Sequence, residues 1–307
     1  MTLGQTLGVA LLGLSGSVVT VEVDIADGIP MYCLLGLPDA ALNESRDRVR
    51  AALVNCGESW PNRKVTVSLS PAWLPKSGSS FDLSIALAIL IAQGSIAQEP
   101  FKQTLVLGEL ALDGRIRAVP GVLPSLIAAY CAGITRAIVP AANLGEASLM
   151  SHMEIISFTS LTQVLRWLRT GEREIADTPD LIVEDASVDL DFADVAGQVR
   201  ARFAVEVAAA GGHHLLLIGP PGAGKTMIAQ RLPGILPTLT REESLEVTAI
   251  HSIAGGLSTR SPLAGQAPFV APHHSATRVA MVGGGSHVIK PGACSLAHAE
   301  VQFVSRN

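Results

Sequence analysis

The chain has no Lys or Arg before Arg46, no apolar run of bilayer length, no C-x-x-C pair, no internal repeat and no low-complexity tract. Each absence excludes a class. Without a positive leader, the opening LGVALLGL does not read as a secretory signal peptide. The strongest span candidate, Phe81 to Ala92, carries Asp82 and Ser84 and stops after about a dozen residues, where a bilayer requires ~20. The chain therefore reads as cytoplasmic, with no membrane partner. Cys33, Cys56, Cys131 and Cys294 stand far apart, which suggests neither a zinc cage nor a disulfide framework, and they read as reduced, mostly buried thiols.

What is present is the composition of a globular pair. The 307 residues divide into two domains of about 150, each long enough to bury a core. With 48% apolar and 16% charged residues and a mean hydropathy of +0.39, disorder is excluded. Charge is uneven: residues 1–187 hold 13 Lys+Arg against 19 Asp+Glu, and residues 188–307 hold 9 against 8. Seven of the eight histidines also fall in the second half. A phosphate or nucleic-acid partner fits this half better than the first, although no strongly basic patch is visible and bulk charge alone does not assign a partner.

Val19, Val21, Val23 and Ile25 alternate with polar residues, the period of a half-buried strand, and Asp27-Gly28 reads as a turn. Asp39 is placed to cap a helix running to about Cys56, with Leu42, Val49, Leu53 and Cys56 inward and Gly57 ending it. Residues 64–70 alternate again. A Ser/Gly loop then enters a helix over 81–92 that is apolar on most sides, which predicts burial at the domain centre. Strands are expected at 105–107 and 137–139 with a helix near 123–131, giving an α/β or α+β domain. The expected domains are residues 1–170, a linker over 171–188 where acidic residues and Thr178-Pro179 interrupt the apolar period, and residues 189–307. In the second, Phe203, Val207 and Ala210 recur at helical spacing and Leu215 to Ile218 reads as a short strand.

Directly after that strand stands Gly219-Pro220-Pro221-Gly222-Ala223-Gly224-Lys225-Thr226, a full match to G-x-x-x-x-G-K-[ST] in a strand, loop, helix context. Residue frequencies in this chain give roughly 0.006 chance matches over its length. The glycines let backbone amides turn inward around phosphate oxygens. Lys225 is placed to neutralise the β/γ-phosphates of ATP, and the Thr226 hydroxyl to ligate Mg²⁺, a hard ion that keeps several waters. ATP and Mg²⁺ are the expected cofactors.

Longer motifs carry a resemblance. The run DVAGQ (Asp194 to Gln198), the phosphate loop, RLPGILPTLTREESLEVTAIHSIAGGL (Arg231 to Leu257) and APHHSATRVAMVGGG (Ala271 to Gly285) resemble the YifB/ComM family of magnesium-chelatase-like AAA+ ATPases across essentially the whole chain. The resemblance implies an ATP-driven homo-oligomer, a hexameric ring, that binds DNA and acts as a branch-migration helicase. It implies a Lon-protease-like α+β domain followed by a P-loop AAA+ domain. Thr240-Arg241-Glu242-Glu243 reads as a capping box opening a helix with Leu245, Ala249, Ile250 and Ile253 on one face. His273 and His274 point apart on a strand and lack a third ligand, so a metal is not expected. The resemblance puts this stretch near the ring pore or nucleotide, where it would touch DNA or a neighbouring subunit.

Lon enzymes use a Ser and Lys pair. Pro75 to Ser80, PKSGSS, resembles the nucleophile loop and places Ser80 at the serine, but the lysine position falls on Leu123. Leucine does not deprotonate a hydroxyl, so no proteolysis is expected. The family's hydrolytic Asp and Glu follow an SLAH motif, here Ser295 to His298, and in register Ser305 and Arg306 occupy those positions. Neither replaces a carboxylate in holding Mg²⁺ or polarising water. The expectation is a family member truncated before the acidic pair, with ATP binding retained and turnover impaired. The alternatives are a chelatase-type motor subunit for metal insertion and a nonenzymatic nucleotide-binding or oligomerisation module.

Overall fold

A computed structural model describes residues 3–172, 190–255, 265, 267–273, 275–285, 289–299 and 301–303. The chain divides into two compact units, Met1–Ile182 and Val183–Asn307. Apart from Gly171 and Glu172, the stretch expected to be a linker lies outside the described residues, as do His274, Ser305 and Arg306.

The first unit is built on a seven-stranded mixed sheet. In chain order its elements are β1 (Leu3–Leu12), β2 (Ser15–Ala26), β3 (Met31–Leu35), α1 (Ala40–Asn43), α2 (Ser45–Asn55), β4 (Lys64–Ser70), α3 (Asp82–Ala92), β5 (Thr104–Val106), the two-residue pair β6 (Glu109–Leu110) and β7 (Ile116–Arg117), α4 (Val122–Cys131), β8 (Arg136–Pro140), α5 (Leu144–Ala147), β9 (Glu154–Phe158) and α6 (Leu161–Thr170). The large sheet runs β3-β4-β2-β1-β5-β8-β9. β1 and β4 flank β2 antiparallel, and the remaining neighbours are parallel.

Both faces of this sheet are covered. Val19, Val21 and Val23 of β2 and Val65, Val67 and Leu69 of β4 are buried in one cluster with Val49 and Leu53 of α2, all of α3's apolar side chains and Leu161, Val164 and Leu165 of α6. On the other face Val9, Leu105, Ala137 and Val139 meet Val122, Leu126 and Ala129 of α4. Two covered faces explain why Ala137, Ile138 and Val139 form an unbroken apolar run. α3 is buried along all eleven residues, so an amphipathic stripe has no place in it. It lies directly on the backbone of β1: a Cβ built at Gly4 would stand 2.0 Å from the Ala88 carbonyl oxygen, and one at Gly8 would stand 2.6 Å from the Phe81 ring.

The helix expected from Asp39 to Cys56 is two. The Asp39 carboxylate accepts from the Leu42 amide at 2.8 Å and caps α1, but the Ala41 carbonyl is turned toward Arg48 Nη2 at 3.0 Å and the chain breaks at Glu44 before α2 begins. Arg48 is drawn inward because Asp82, the first residue of α3, is fully buried and takes its guanidinium on both carboxylate oxygens, at 2.7 and 3.0 Å. Burial pushes the Asp82 carboxyl up to about 6 even though Arg48 opposes the shift. The thiols are less sheltered than expected: Cys33 and Cys56 are half-buried, and Cys131 and Cys294 are exposed.

The second unit contains α7 (Val199–Gly211), α8 (Lys225–Arg231), α9 (Arg241–Ala254), β10 (Phe269–Val270), α10 (Arg278–Val282), α11 (Ala293–Leu296) and β11 (Val301–Gln302), with β10 and β11 parallel. Its small core joins Phe192, Val195, Val205 and Ile228. α7 turns onto that core through Val205 and Ala201 and also buries Ala208 and Ala209, so the expected stripe faces outward: Phe203 is 67% exposed and Val207 48%. The residues before the phosphate loop also depart from expectation. Leu215 to Ile218 form no strand, and Leu216 and Ile218 are 81% and 87% exposed. A strand needs a hydrogen-bonding neighbour, and among the described residues none runs beside this stretch. α9 follows its signature: the Thr240 side chain accepts from the Glu243 amide and Glu243 returns to the Thr240 amide at 2.8 Å. Ala249 and Ile250 are buried, Leu245 and Ile253 half-buried, and Val247 and Thr248 widen the face. Among the described residues, no helix is long and apolar enough to cross a membrane.

Candidate functional site

Gly219 to Thr226 form a turn that passes into α8 at Lys225. Gly222 (φ +82) and Gly224 (φ +77) take left-handed backbone, which a side chain would strain and glycine adopts freely. A Cβ at Gly222 would meet nothing within 4 Å, so the loop stays open there. Pro220 and Pro221 carry no N–H, and the Ala223 amide donates to the Pro220 carbonyl at 3.2 Å. Lys225 Nζ folds over the loop, donating to the carbonyl oxygens of Gly219 at 2.8 Å and Pro220 at 3.0 Å. Among the described residues no carboxylate pairs with this ammonium. It is therefore available to an anion that outcompetes two neutral carbonyls. Thr226 is exposed one residue on.

These residues fit a nucleotide and its cation in kind: one ammonium, two left-handed glycines and one exposed threonine. Among the described residues no group of three or more His, Cys, Asp or Glu gathers as a metal site. A Mg²⁺ here would take the Thr226 hydroxyl and draw its other oxygens from phosphate and water.

Spacing alone did not reveal what holds the loop. Arg231, on α8, donates to the Asp191 carbonyl at 3.1 Å and approaches the Asp194 carboxylate at 3.5 Å. Gln198, the last residue of DVAGQ, donates from Nε2 to the Ala223 carbonyl at 3.0 Å. The only sequence signal for either was membership of a longer motif. Downstream, His273 Nδ1 lies 2.6 Å from the Ser275 hydroxyl, and His298 of the SLAH motif lies 2.9 Å from Glu246 on α9.

In the first unit, Leu123 is fully buried in α4, with its amide donating to Glu146 Oε2 at 3.2 Å. Ser80 sits before α3, its carbonyl accepting from the Gly108 amide at 3.0 Å. The neighbouring Ser79 hydroxyl donates to Glu109, whose other oxygen lies 3.4 Å from Arg117. Lys76 of the same loop is buried, and its ammonium donates to the carbonyls of Leu69 (2.8 Å) and Pro71. Burial lowers its pKa. Its hydrogen bonds run to backbone, away from the serine hydroxyls.

Sequence comparison accounts for both units. Two family profiles match, one described as magnesium chelatase, subunit ChlI, over residues 191–306, the other as subunit ChlI of Mg-chelatase, over residues 21–143. The chain is 55% identical to the Mycobacterium tuberculosis H37Rv protein Rv2897c over 99% of its own length and 60% of that protein's. It is 41% identical to YifB of Escherichia coli K12 (96% of this chain, 58% of YifB) and 39% identical to competence protein ComM of Haemophilus influenzae (99% and 60%). A weaker likeness, 24% over 174 residues, is to the Lon protease of Mycolicibacterium smegmatis. The chain spans about 60% of the length of the curated relatives it matches. With both profiles and these relatives in agreement, the chain belongs to the YifB/ComM magnesium-chelatase-like family.

Proposed function

We propose that residues 189–307 bind ATP with Mg²⁺ through Gly219 to Thr226. The observation that carries this reading is Lys225: an ammonium with no carboxylate partner among the described residues, folded over a loop whose glycines hold left-handed backbone. On binding, Lys225 exchanges the carbonyls of Gly219 and Pro220 for β/γ-phosphate oxygens, and the Thr226 hydroxyl meets the cation. Mg²⁺ supplies charge neutralisation on the phosphates. Residues 1–170 act as a Lon-type domain without its chemistry, since Leu123 offers no base. Ser305 and Arg306 stand at the acidic positions of the resemblance, so these 307 residues bind nucleotide with little turnover.

Family membership and the competence protein among the relatives support an ATP-driven ring that remodels DNA as the role of the whole protein. The profile descriptions keep a chelatase-type motor as the second reading, and stimulation of ATP turnover in a full-length relative, by DNA or by a chelatase partner, separates them. Calorimetry with a non-hydrolysable ATP analogue and Mg²⁺ tests the core claim. Wild-type protein gives saturable heat, and Lys225→Ala weakens affinity by about tenfold or more, equivalent to about 1.4 kcal/mol. No heat from well-folded wild-type protein overturns the reading.

A further inference from the structure

The contact between Gln198 and the phosphate loop goes beyond the motif. Gln198 is one of three non-glycine residues with positive φ among the described residues, at φ 47 and ψ 40. A residue with a Cβ adopts that conformation only when its surroundings impose it. Two sets of contacts do so here. Arg231 fastens the preceding segment through Asp191 and Asp194, and Arg202 reaches back to the Val195 carbonyl at 3.2 Å while lying over the Phe192 ring. The strained backbone delivers the side chain onto the loop: Nε2 donates to the Ala223 carbonyl, and a Cβ at Gly224 would stand 2.9 Å from the same nitrogen.

Peptide planarity gives this contact a consequence. The Ala223–Gly224 bond is trans, so its carbonyl and its N–H point in opposite directions. Holding the Ala223 carbonyl toward Gln198 turns the Gly224 N–H toward the other side of the loop. That amide carries weight, because Pro220 and Pro221 have none and the Ala223 amide is spent on Pro220. We infer that Gln198 is a positioning residue that presets the Gly224 amide for a triphosphate oxygen. The inference rests on the ATP-binding reading and assigns it a part outside the loop itself.

Two substitutions in the full chain test it, with inorganic triphosphate and a non-hydrolysable ATP analogue as probes. Gln198→Gly frees the left-handed backbone but removes the donor, so the ligand-free melting temperature is kept while affinity for both probes falls by the same factor, about three- to tenfold. Gln198→Glu sets a carboxylate oxygen against the Ala223 carbonyl and falls further. In wild-type protein the Gly224 amide resonance shifts on adding triphosphate, and in Gln198→Glu that shift is lost. Wild-type affinity in both variants, or a loss confined to the ATP analogue, overturns the inference and leaves ATP binding standing. A wild-type chain that binds neither probe overturns the ATP-binding reading and this one together.

Discussion

Replacing Arg48 by Met tests how the first unit tolerates a buried carboxylate. Methionine keeps much of the apolar stem and removes the guanidinium that meets Asp82 at 2.7 and 3.0 Å. A carboxyl whose folded pKa lies above its unfolded one holds its proton more tightly in the native state. Asp82, raised from 3.8 to about 6, therefore favours folding at pH below about 4 and withdraws that contribution as pH climbs through 6. In wild-type protein this costs about 3 kcal/mol at pH 7. Without Arg48 the carboxyl rises further, and folding protonated at pH 7 caps the cost at about 4.4 kcal/mol, so the titration-linked loss reaches at most about 1.4 kcal/mol at pH 7 and vanishes near pH 5. The hydrogen bond lost at the Ala41 carbonyl adds about 1 to 2 kcal/mol at either pH. Urea unfolding followed by tryptophan fluorescence isolates this unit, because Trp60, Trp73 and Trp167 are the chain's three tryptophans and all lie in it. The expected loss is about 3 kcal/mol at pH 7 and about half that at pH 5. Equal losses at both pH values would refute the account of Asp82.

Two further predictions concern packing and capping. Gly4→Ala drives a methyl into the Ala88 carbonyl and costs the first unit about 3 kcal/mol or more, read by the same fluorescence assay; a loss below about 1 kcal/mol means that α3 slides freely on β1. Thr240→Ala removes the side chain that accepts from the Glu243 amide and costs α9 about 1 kcal/mol, seen as faster hydrogen exchange in its first turn with the rest of the helix unchanged.

What was legible in the sequence was what depends on local period. The alternation of Val19, Val21 and Val23, the strand at residues 64–70 and the buried helix at 81–92 all stand where the pattern put them. β1 was missed because Gly4 and Gly8 dilute its strand character; glycine is there because α3 and Phe81 rest on that backbone, a contact no window of residues contains. The break at Glu44 was hidden for the same reason, since Asp82 lies 34 residues from Arg48. On α7, spacing identified a helix but not which side meets Phe192 and Val195. At the site, residue types gave the loop, its lysine and its threonine. The carbonyls that Lys225 occupies and the hold of Gln198 on Ala223 are relations between backbone atoms, to which composition is blind.

The order of strands sets a timetable for synthesis. β1 and β2 meet across Gly13-Leu14, so this hairpin is complete once Ala26 has left the ribosome. Its other partners come later in turn: β4, which pairs with β2, ends at Ser70, α3 ends at Ala92, and the parallel neighbour of Leu7 is Leu105. Until α3 has been made, a nascent hairpin displays Val19, Val21 and Val23 without the buried helix that packs on them, an exposure that favours aggregation over folding.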